Sequence, residues 1–308
     1  MAITLHVDPK TPPLTWEEFA SKTGPFAVAL DGYVKEGPIT GDSAPRINLN
    51  HHEGSDRLAT RATCAQVLLF IRQGIFEIFN QHGEPTMDIY VNDCDQDVCT
   101  SVYLLTHAHI ADQILNPRLN RLVFMEDMLD STAGSYPFPD NLPALMELAW
   151  VFQPYTQFRL NGGLDRKDPE EYQSIITDVC LRINEHIMHA GKSIPLDTRY
   201  ERISGNNRWG MFKEIGAQAF SGIAATGIHA FVSVRERSDG RYNYTLWRSL
   251  PVIPFDIPAL YDALNAADDS NGDRWGGGNT IGGSPRVRGS KLTPKQVEAI
   301  VTEILNKR

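Results

Sequence analysis

The sequence predicts an α/β protein of two domains, an amino-terminal open, mainly parallel sheet flanked by helices and a smaller carboxyl-terminal mixed α/β domain. Two short apolar runs, FAVAL at 26–30 and MDIYV at 87–91, are typical of buried strands, and helical patterns follow both. After residue 206, alternating β-branched and aromatic runs meet at Asp239-Gly240, a strong hairpin signal. A chain of 308 residues is long enough for two domains, each with its own core.

The first half of the chain is predicted to alternate strands and helices. The strand at 26–30 ends at Asp31-Gly32, and a loop rich in Gly and Pro leads to INLNHHEGSDR, which contains NHHE at 50–53. A helix then runs from about residue 62 to a stop at Gly83. An acidic cluster follows the strand at 87–91, and SVYLLTHAHIADQIL reads as the next helix. Because ligands bind at the carboxyl ends of strands in open α/β sheets, we expect Asp31 and this cluster to meet at one edge.

Helical patterns dominate the chain from about residue 141 to 200. The last helix, LTPKQVEAIVTEILNKR, begins with a capping box of Thr293 and Gln296, and its apolar residues fall on one face. The predicted division is an amino-terminal domain at 1–150, a helical connector at 151–205 and a second domain at 206–308.

Charge and composition exclude several classes of protein. A net charge of −9 argues against a general nucleic-acid coat or a protein of anionic membranes, so we expect neither long duplex nucleic acid nor membrane as a partner. No signal peptide and no apolar run of membrane-spanning length is evident, which favours a soluble cytoplasmic protein. Four cysteines are too few for a disulfide scaffold, so reduced thiols are expected.

The acidic cluster DIYVNDCDQDVC at 88–99 places Asp93, Asp95 and Asp97 at every second position. Carboxylates this close repel one another unless they are hydrated, spread apart or neutralised by a cation. A calcium loop of the EF-hand type fails, because Val98 takes the position of its Gly and Leu104 that of its closing Glu. If the backbone stays extended, the three carboxylates lie on one side.

The adjacent His51 and His52 are the second unusual feature. Polar residues of a solvated loop are one interpretation of the pair. The other is a metal site, because neutral imidazole together with several carboxylates suits Mn²⁺, Mg²⁺, Fe²⁺ or Zn²⁺, whereas Ca²⁺ prefers oxygen ligands alone.

Taken together, a strand ending in Asp, a His-His loop, an Asp-x-Asp cluster before a helix and a later Asp before Gly resemble the DHH phosphoesterase superfamily. WGGGNTIGGSPRVRGS at 275–290 is similar to the Gly-rich signature of its accessory domain. The superfamily includes family II inorganic pyrophosphatases, single-strand exonucleases and phosphodiesterases of short oligonucleotides or cyclic dinucleotides. The resemblance implies an enzyme, with Mn²⁺ as the first choice of metal. It would hydrolyse a phosphoester or phosphoanhydride bond of a phosphorylated small molecule or short oligonucleotide held between the domains.

The resemblance also implies roles for matching residues. Asp31 is similar to the bridging aspartate, His51 to the first histidine of the family triplet, and His52 to the second, which lies beside the phosphate. The Asp-x-Asp pair matches Asp93 and Asp95, or Asp95 and Asp97 in a branch that reads His-x-Asp. The implied metal ligands are Asp31, His51, Asp93, Asp95, Asp97 and Asp130, with Asp127 as the alternative to Asp130, and the implied catalytic residues are Asp31, His52 and Asp95.

The negative charge of the substrate is expected to be met largely in the second domain, since Arg holds phosphate bidentately and a Gly-rich turn can offer backbone N–H groups. The candidates for substrate binding are His52, Arg235, Asn279, Gly282, Gly283, Ser284 and Arg286. Solvated hairpin arginines and a flexible turn are the alternative interpretations.

The sequence departs from the family at three places. Asn50 replaces the leading Asp of the triplet, the acidic cluster follows the His-His loop where the family places it first, and Asn279 stands where the accessory signature often has His. Two other functions therefore stay open: a non-catalytic ligand-binding protein of the same fold, and a metal-dependent hydrolase of a non-phosphate bond such as an amide. A homodimer also stays open.

Overall fold

The structure of the chain, a computed structural model, describes residues 2–41, 44–52, 54–268 and 272–306. The chain divides into two compact units: the first comprises Met1–Thr132 and Pro143–Pro195, the second Ala133–Leu142 and Leu196–Arg308. The predicted α/β class with a mainly parallel first sheet and a mixed second sheet is confirmed. The sequence predicted a separate connector over 151–205, whereas the helices of that segment belong to the first unit.

Five strands and ten helices are described in the first unit. The strands are β1 (Ala2–Val7), β2 (Ala27–Leu30), β3 (Arg46–Leu49), β4 (Asn80–Gln81) and β5 (Glu84–Val91). The helices are α1 (Trp16–Lys22), α2 (Thr63–Arg72), α3 (Ile75–Ile78), α4 (Gln96–Thr106), α5 (Ala108–Ala111), α6 (Pro117–Ser131), α7 (Pro143–Val151), α8 (Gln153–Leu160), α9 (Gly163–Arg166) and α10 (Pro169–Ile187).

The first sheet has the strand order β1-β5-β2-β3, with these four strands parallel and β4 antiparallel to β5. Both apolar runs form strands as predicted, FAVAL contributing β2 and MDIYV the end of β5. All four residues of β2 are buried, which is why this central strand reads as a continuous apolar run. Since β3 and β5 flank β2, the carboxyl ends of three neighbouring parallel strands lie at one edge.

Three local predictions are wrong. The helix predicted to reach Gly83 ends at Arg72, because Gly74 adopts a left-handed conformation with φ of 84°. No strand is predicted over the residues of β3, because four residues are too few for their alternation to stand out. The helix after the acidic cluster begins at Gln96, ahead of the predicted segment, because Asp95 caps it by accepting a hydrogen bond from the backbone N–H of Val98 at 2.9 Å.

The second unit contains a mixed sheet and three described helices. Its elements are β6 (Tyr200–Gly205), β7 (Gly210–Glu214), α11 (Ala219–Ala225), β8 (Ala230–Glu236), β9 (Tyr242–Arg248), α12 (Ile257–Ala267), β10 (Gly276–Gly277), β11 (Ile281–Gly283) and α13 (Pro294–Asn306). The six described strands have the order β10-β11-β9-β8-β7-β6. The predicted hairpin at Asp239-Gly240 is confirmed as β8–β9, and the capping box of α13 is confirmed by the N–H of Thr293 donating to Oε1 of Gln296 at 2.9 Å.

The core of the second unit lies between its sheet and the two long helices. Apolar residues of α12 and α13, such as Leu264 and Val301, pack with Val232 and Leu246 of the central hairpin. This explains why the last helix shows a single apolar face in the sequence. Among the described residues, no helix combines the length and the apolar character needed to cross a membrane.

Candidate metal centre

Acidic and histidine side chains gather where the strands of the first sheet end. Asp31 follows β2 directly, and His51 and His52 follow β3. Asp97 lies in the first turn of α4, which comes after β5, and Asp130 lies in the last turn of α6. The fold therefore brings residues from distant parts of the sequence together at the carboxyl ends of the parallel strands, where open α/β sheets bind ligands.

Asp31 is held in an unusual backbone conformation. Its φ is 49°, in the left-handed region that non-glycine residues seldom adopt, while its N–H still donates to the carbonyl of Leu49 at 2.9 Å. The carboxylate Oδ1 accepts a hydrogen bond from Oγ1 of Thr63 at 2.9 Å and lies 2.9 Å from Nε2 of His52. Strain of this kind is found where a side chain is aimed at a site, and here it turns a buried carboxylate toward both histidines.

Asn50 fixes the loop that carries the two histidines. Its side chain is fully buried; Oδ1 accepts from the N–H of His52 at 2.9 Å, and Nδ2 donates to the carbonyls of Val34 at 3.2 Å and Glu36 at 3.0 Å. An ionised Asp has no donor and could not make the last two bonds. The departure from the family triplet thus has a structural reason in this chain.

Asp97 connects the centre to the start of α2. Its Oδ2 accepts from the N–H of Thr63 at 2.7 Å and its Oδ1 from the N–H of Cys64 at 2.6 Å. A carboxylate at this position satisfies two helix N–H groups that have no partner within the helix. The same Oδ2 lies 3.6 Å from Nε2 of His51, so Asp97 faces the helix on one side and the histidine on the other.

Five of these side chains form two groups of three that could each hold a metal ion. The first group is Asp31, His51 and His52, and the second is His51, Asp97 and Asp130; within each group the ligand atoms lie within 4.8 Å of one another. His51 belongs to both. The sequence prediction of a metal-binding cluster is therefore supported by the positions of these side chains, without identifying the metal.

The environment of His51 fits a metal ion. The imidazole is fully buried, with Nε2 at 2.5 Å from Oδ2 of Asp130 and 3.6 Å from Oδ1 of Asp31. The geometry at Asp130 is not that of a hydrogen bond, and neither ring nitrogen of His51 nor Oδ2 of Asp130 has a hydrogen-bond partner among the described residues. Buried polar atoms are costly without a partner, and a cation bound by Nε2 of His51 and Oδ2 of Asp130 would remove that cost for these two atoms.

The charges of the centre shift its pKa values in both directions. Burial acts against the charged imidazole of His52, but the hydrogen bond and charge of Asp31 outweigh it and raise the pKa of His52. Burial likewise opposes ionisation of Asp31, yet its contacts with His52 and His51 lower the pKa of that carboxyl overall. Burial, followed by the charges of Asp31 and Asp130, raises the pKa of Asp97 to about 7. Without a cation, the centre holds more carboxylates than it can ionise together.

Asp93 and Asp95 lie beside the centre but outside both groups within the described part of the chain. The expected alternation does not persist, because the strand ends at Val91 and the helix begins at Gln96. Asp93 accepts from the N–H of Cys94 at 2.7 Å, and Asp95 caps α4. Burial and the charge of Asp31 nevertheless raise the pKa of both carboxyls, so each lies close enough to feel the centre.

Two further acids of α6 have distinct surroundings. Asp127, the alternative to Asp130, accepts from the N–H of Ala62 at 2.7 Å and so binds the start of α2 instead of joining either group. Glu126 is 2% exposed, and its Oε2 has no hydrogen-bond partner among the described residues. Burial, together with the charges of Asp130 and Asp97, raises the pKa of Glu126 well above its usual range.

The substrate-binding candidates of the second unit are largely engaged within it. Arg235 contacts Oε2 of Glu214 at 2.9 Å, and Ser284 exchanges two hydrogen bonds with Tyr244. The N–H of Arg286 donates to Oδ1 of Asp273 at 3.1 Å, and the carbonyl of Asn279 accepts from Arg248. Gly282 and Gly283 belong to β11, paired with β9 and β10. The Gly-rich run is therefore a short hairpin of the second sheet.

Two residues of the centre had no signal in the sequence analysis. Thr63 holds Asp31 through its hydroxyl, and Arg57 donates from Nη2 to Oδ1 of Asp130 at 2.8 Å. Both lie in or beside the segment between β3 and α2. That segment contains many polar residues, and no spacing distinguishes Thr63 or Arg57 from the others. No protein-family model matches the chain, and no curated protein matches it significantly.

Proposed function

We propose that the chain is a divalent-metal-dependent phosphohydrolase of the DHH type, which hydrolyses a phosphoester or phosphoanhydride bond. The observation that carries this proposal is the shared position of His51 in two ligand groups. Adjacent groups of carboxylate and imidazole ligands, at the edge where α/β sheets bind ligands, suit hydrolysis at a phosphorus atom, which needs concentrated positive charge.

We assign the ion to Asp31, His51, Asp97 and Asp130, with Mn²⁺ as first choice because imidazole and carboxylate together suit it; Mg²⁺, Fe²⁺ and Zn²⁺ share much of this preference. A bound divalent ion supplies positive charge for the phosphoryl oxygens and lowers the pKa of a water molecule. Asp93 and Asp95 are proposed as outer carboxylates that add to the negative field around the ion.

His52 is the proposed proton carrier. Its side chain is 32% exposed, so a substrate can reach it, and Asp31 fixes the ring through Nε2 at 2.9 Å. In the chain without an ion, the contact with Asp31 raises the pKa of His52, so the imidazole there retains a proton at a higher pH than free histidine does. A protonated His52 can stabilise a phosphoryl oxygen and give a proton to the departing oxygen.

The proposal is tested by metal content and turnover. Purified protein should contain Mn, Fe or Zn, or take up Mn²⁺, and should then release product from bis(p-nitrophenyl) phosphate, inorganic pyrophosphate or a 5′-phosphorylated dinucleotide. His51→Ala should lose both properties. His109→Ala is the matched control, because His109 is exposed on α5 and belongs to neither group.

A metal-loaded protein that turns over none of these compounds would contradict the proposal. Stabilisation by nucleotides without turnover would then favour a non-catalytic binding protein, and release of amine from amide substrates would favour a hydrolase of a different bond.

A further inference from the structure

Arg57 brings a guanidinium to the edge of the metal centre. Its Nη2 lies 2.8 Å from Oδ1 of Asp130, while the other oxygen of that carboxylate faces His51. The side chain is 31% exposed, so part of it reaches solvent and part is covered. The charge of Arg57 also acts on His52, which places the guanidinium near the imidazole that is proposed to meet the substrate.

Among the described residues, the contact with Asp130 occupies one donor atom of the guanidinium. Arginine has five N–H donors in a planar fork, and its pairs with carboxylates and phosphates are frequently bidentate. Here one Nη2 donor binds one oxygen. The Nε atom is buried and has no hydrogen-bond partner in the ranges that the structure describes. A buried cationic donor in this state favours an additional anionic acceptor.

Arg61 shows what an ordinary cation of the same segment looks like. Its side chain is 65% exposed, and its ion pair among the described residues is with Oδ2 of Asp127, at 4.0 Å. Asp127 belongs to neither ligand group, so within the described part of the chain the ion pair of Arg61 lies outside both groups. Arg57 and Arg61 carry the same charge but differ in burial and in their contacts, so the contact of Arg57 with Asp130 is specific to its position.

We propose that Arg57 binds an anionic oxygen of the phosphoryl group of the substrate, beside the ion held by Asp130 and His51. This inference rests on the proposed function and deepens it, because it assigns the recognition of the transferred group to the first unit. Arginine suits that role, since its fork matches the spacing of phosphoryl oxygens and its hydrogen bonds to anions are charge-assisted.

The test is the affinity of the Mn²⁺-loaded protein for inorganic phosphate, measured by calorimetry in wild type and in the Arg57→Gln, Arg57→Lys and Arg61→Gln variants. We expect Arg57→Gln to raise Kd about tenfold or more, and Arg57→Lys to raise it less, because an ammonium keeps the charge but loses the fork. Arg61→Gln should change Kd less than about twofold, as expected of an exposed charge. With bis(p-nitrophenyl) phosphate, KM should rise in the same order.

Wild-type phosphate affinity in metal-replete Arg57→Gln would overturn the inference and leave Arg57 as a neutralising partner of Asp130. If Arg57→Gln fails to retain metal, Arg57→Lys decides, and unchanged phosphate affinity in that variant would equally overturn it. Phosphate binding that depends on Arg57 in a protein without phosphoester turnover would support the inference while the proposed function fails. Absence of phosphate binding in the loaded wild type would refute the role of Arg57.

Discussion

Nε2 of His51 and Oδ2 of Asp130 approach to 2.5 Å inside the first unit, and neither atom has a hydrogen-bond partner among the described residues. His51 follows β3 and Asp130 ends α6, so the contact joins elements that are far apart in the sequence. The contact between these two buried polar atoms does not have the geometry of a hydrogen bond. A cation bound by both atoms would hold them together.

Asp130→Asn should weaken binding of Mn²⁺ by a factor of at least about 10–100, because it removes a charged ligand. Mutation of a residue that only hydrogen-bonds a metal ligand already weakens metal binding by about this factor. Asp127→Asn is the matched control on the same helix, since Asn retains an oxygen that can accept from the N–H of Ala62. Metal content by mass spectrometry and titration with Mn²⁺ measure both. Equal loss in the two variants would refute the assignment of Asp130 as ligand.

Asn50→Asp, which restores the family triplet, should destabilise this chain. The buried amide donates to the carbonyls of Val34 and Glu36, and an ionised Asp would place a charge against two acceptors. We expect a loss of about 3 kcal/mol in the free energy of unfolding, measured by urea denaturation. Asn116→Asp should be nearly neutral, because Asn116 caps α6 through its oxygen and Asp caps equally well. A stability equal to wild type in Asn50→Asp would show that the triplet position tolerates either residue.

The metal-free protein should be more stable near pH 5 than near pH 8. Burial raises the pKa values of Asp97, to about 7, and of Glu126. The folded state therefore keeps protons that the unfolded chain loses above the usual carboxyl range, and stability falls with rising pH by up to about 1.4 kcal/mol per pH unit for each retained proton. The raised pKa of His52 acts in the same direction at higher pH, because its contribution is present below the unfolded value and is lost through the folded one.

Denaturant unfolding of chelator-treated protein across this pH range measures the effect of these shifts. Mn²⁺ competes with the retained protons, so its stabilising effect should grow from pH 5 to pH 8. Asp97→Asn should flatten the profile by removing one of them. A metal-free protein that gains stability as pH rises would contradict the assignment.

Gly282→Ala should destabilise the second unit by about 2 kcal/mol, the range of overpacked sites. A Cβ on Gly282 would lie 1.7 Å from the hydroxyl of Tyr261 and 2.5 Å from the carbonyl oxygen of Gly276. Gly276→Ala is the control in the same hairpin, because its Cβ would meet nothing within 4 Å. Thermal unfolding compares the two. Equal stability would indicate that the Gly-rich run is a flexible turn, as the alternative interpretation of the sequence holds.

Much of the fold was readable from the sequence because local patterns agreed with the tertiary structure. The buried run of β2, the Asp239-Gly240 hairpin and the cap of α13 each carry their own signal within a few residues. β3 has only four residues and too little alternation to be recognised, although both histidines follow it closely. The end of α2 depended on the left-handed Gly74, which a helical pattern alone does not exclude.

The centre was predictable only in outline. Asp31 could be proposed because it follows a predicted strand, and His51 and His52 because they are adjacent. The choice among Asp93, Asp95 and Asp97 depended on where the strand ends and the helix begins. Asp95 caps α4 and so fixes where the helix begins. Because the helix begins there, Asp97 faces His51. Arg57 was not predicted, because its contact with Asp130 depends on where α6 lies in the fold, and no spacing in the sequence encodes that position.

Asp97 makes the first turn of α2 a reporter of the centre. The carboxylate that faces His51 also accepts from the N–H groups of Thr63 and Cys64. When no ion is bound and the carboxyl is protonated, it is a weaker acceptor for both N–H groups, since charge-assisted bonds are about twice as strong as neutral ones. We therefore expect ion binding to slow amide hydrogen exchange at Thr63 and Cys64, even in the absence of substrate.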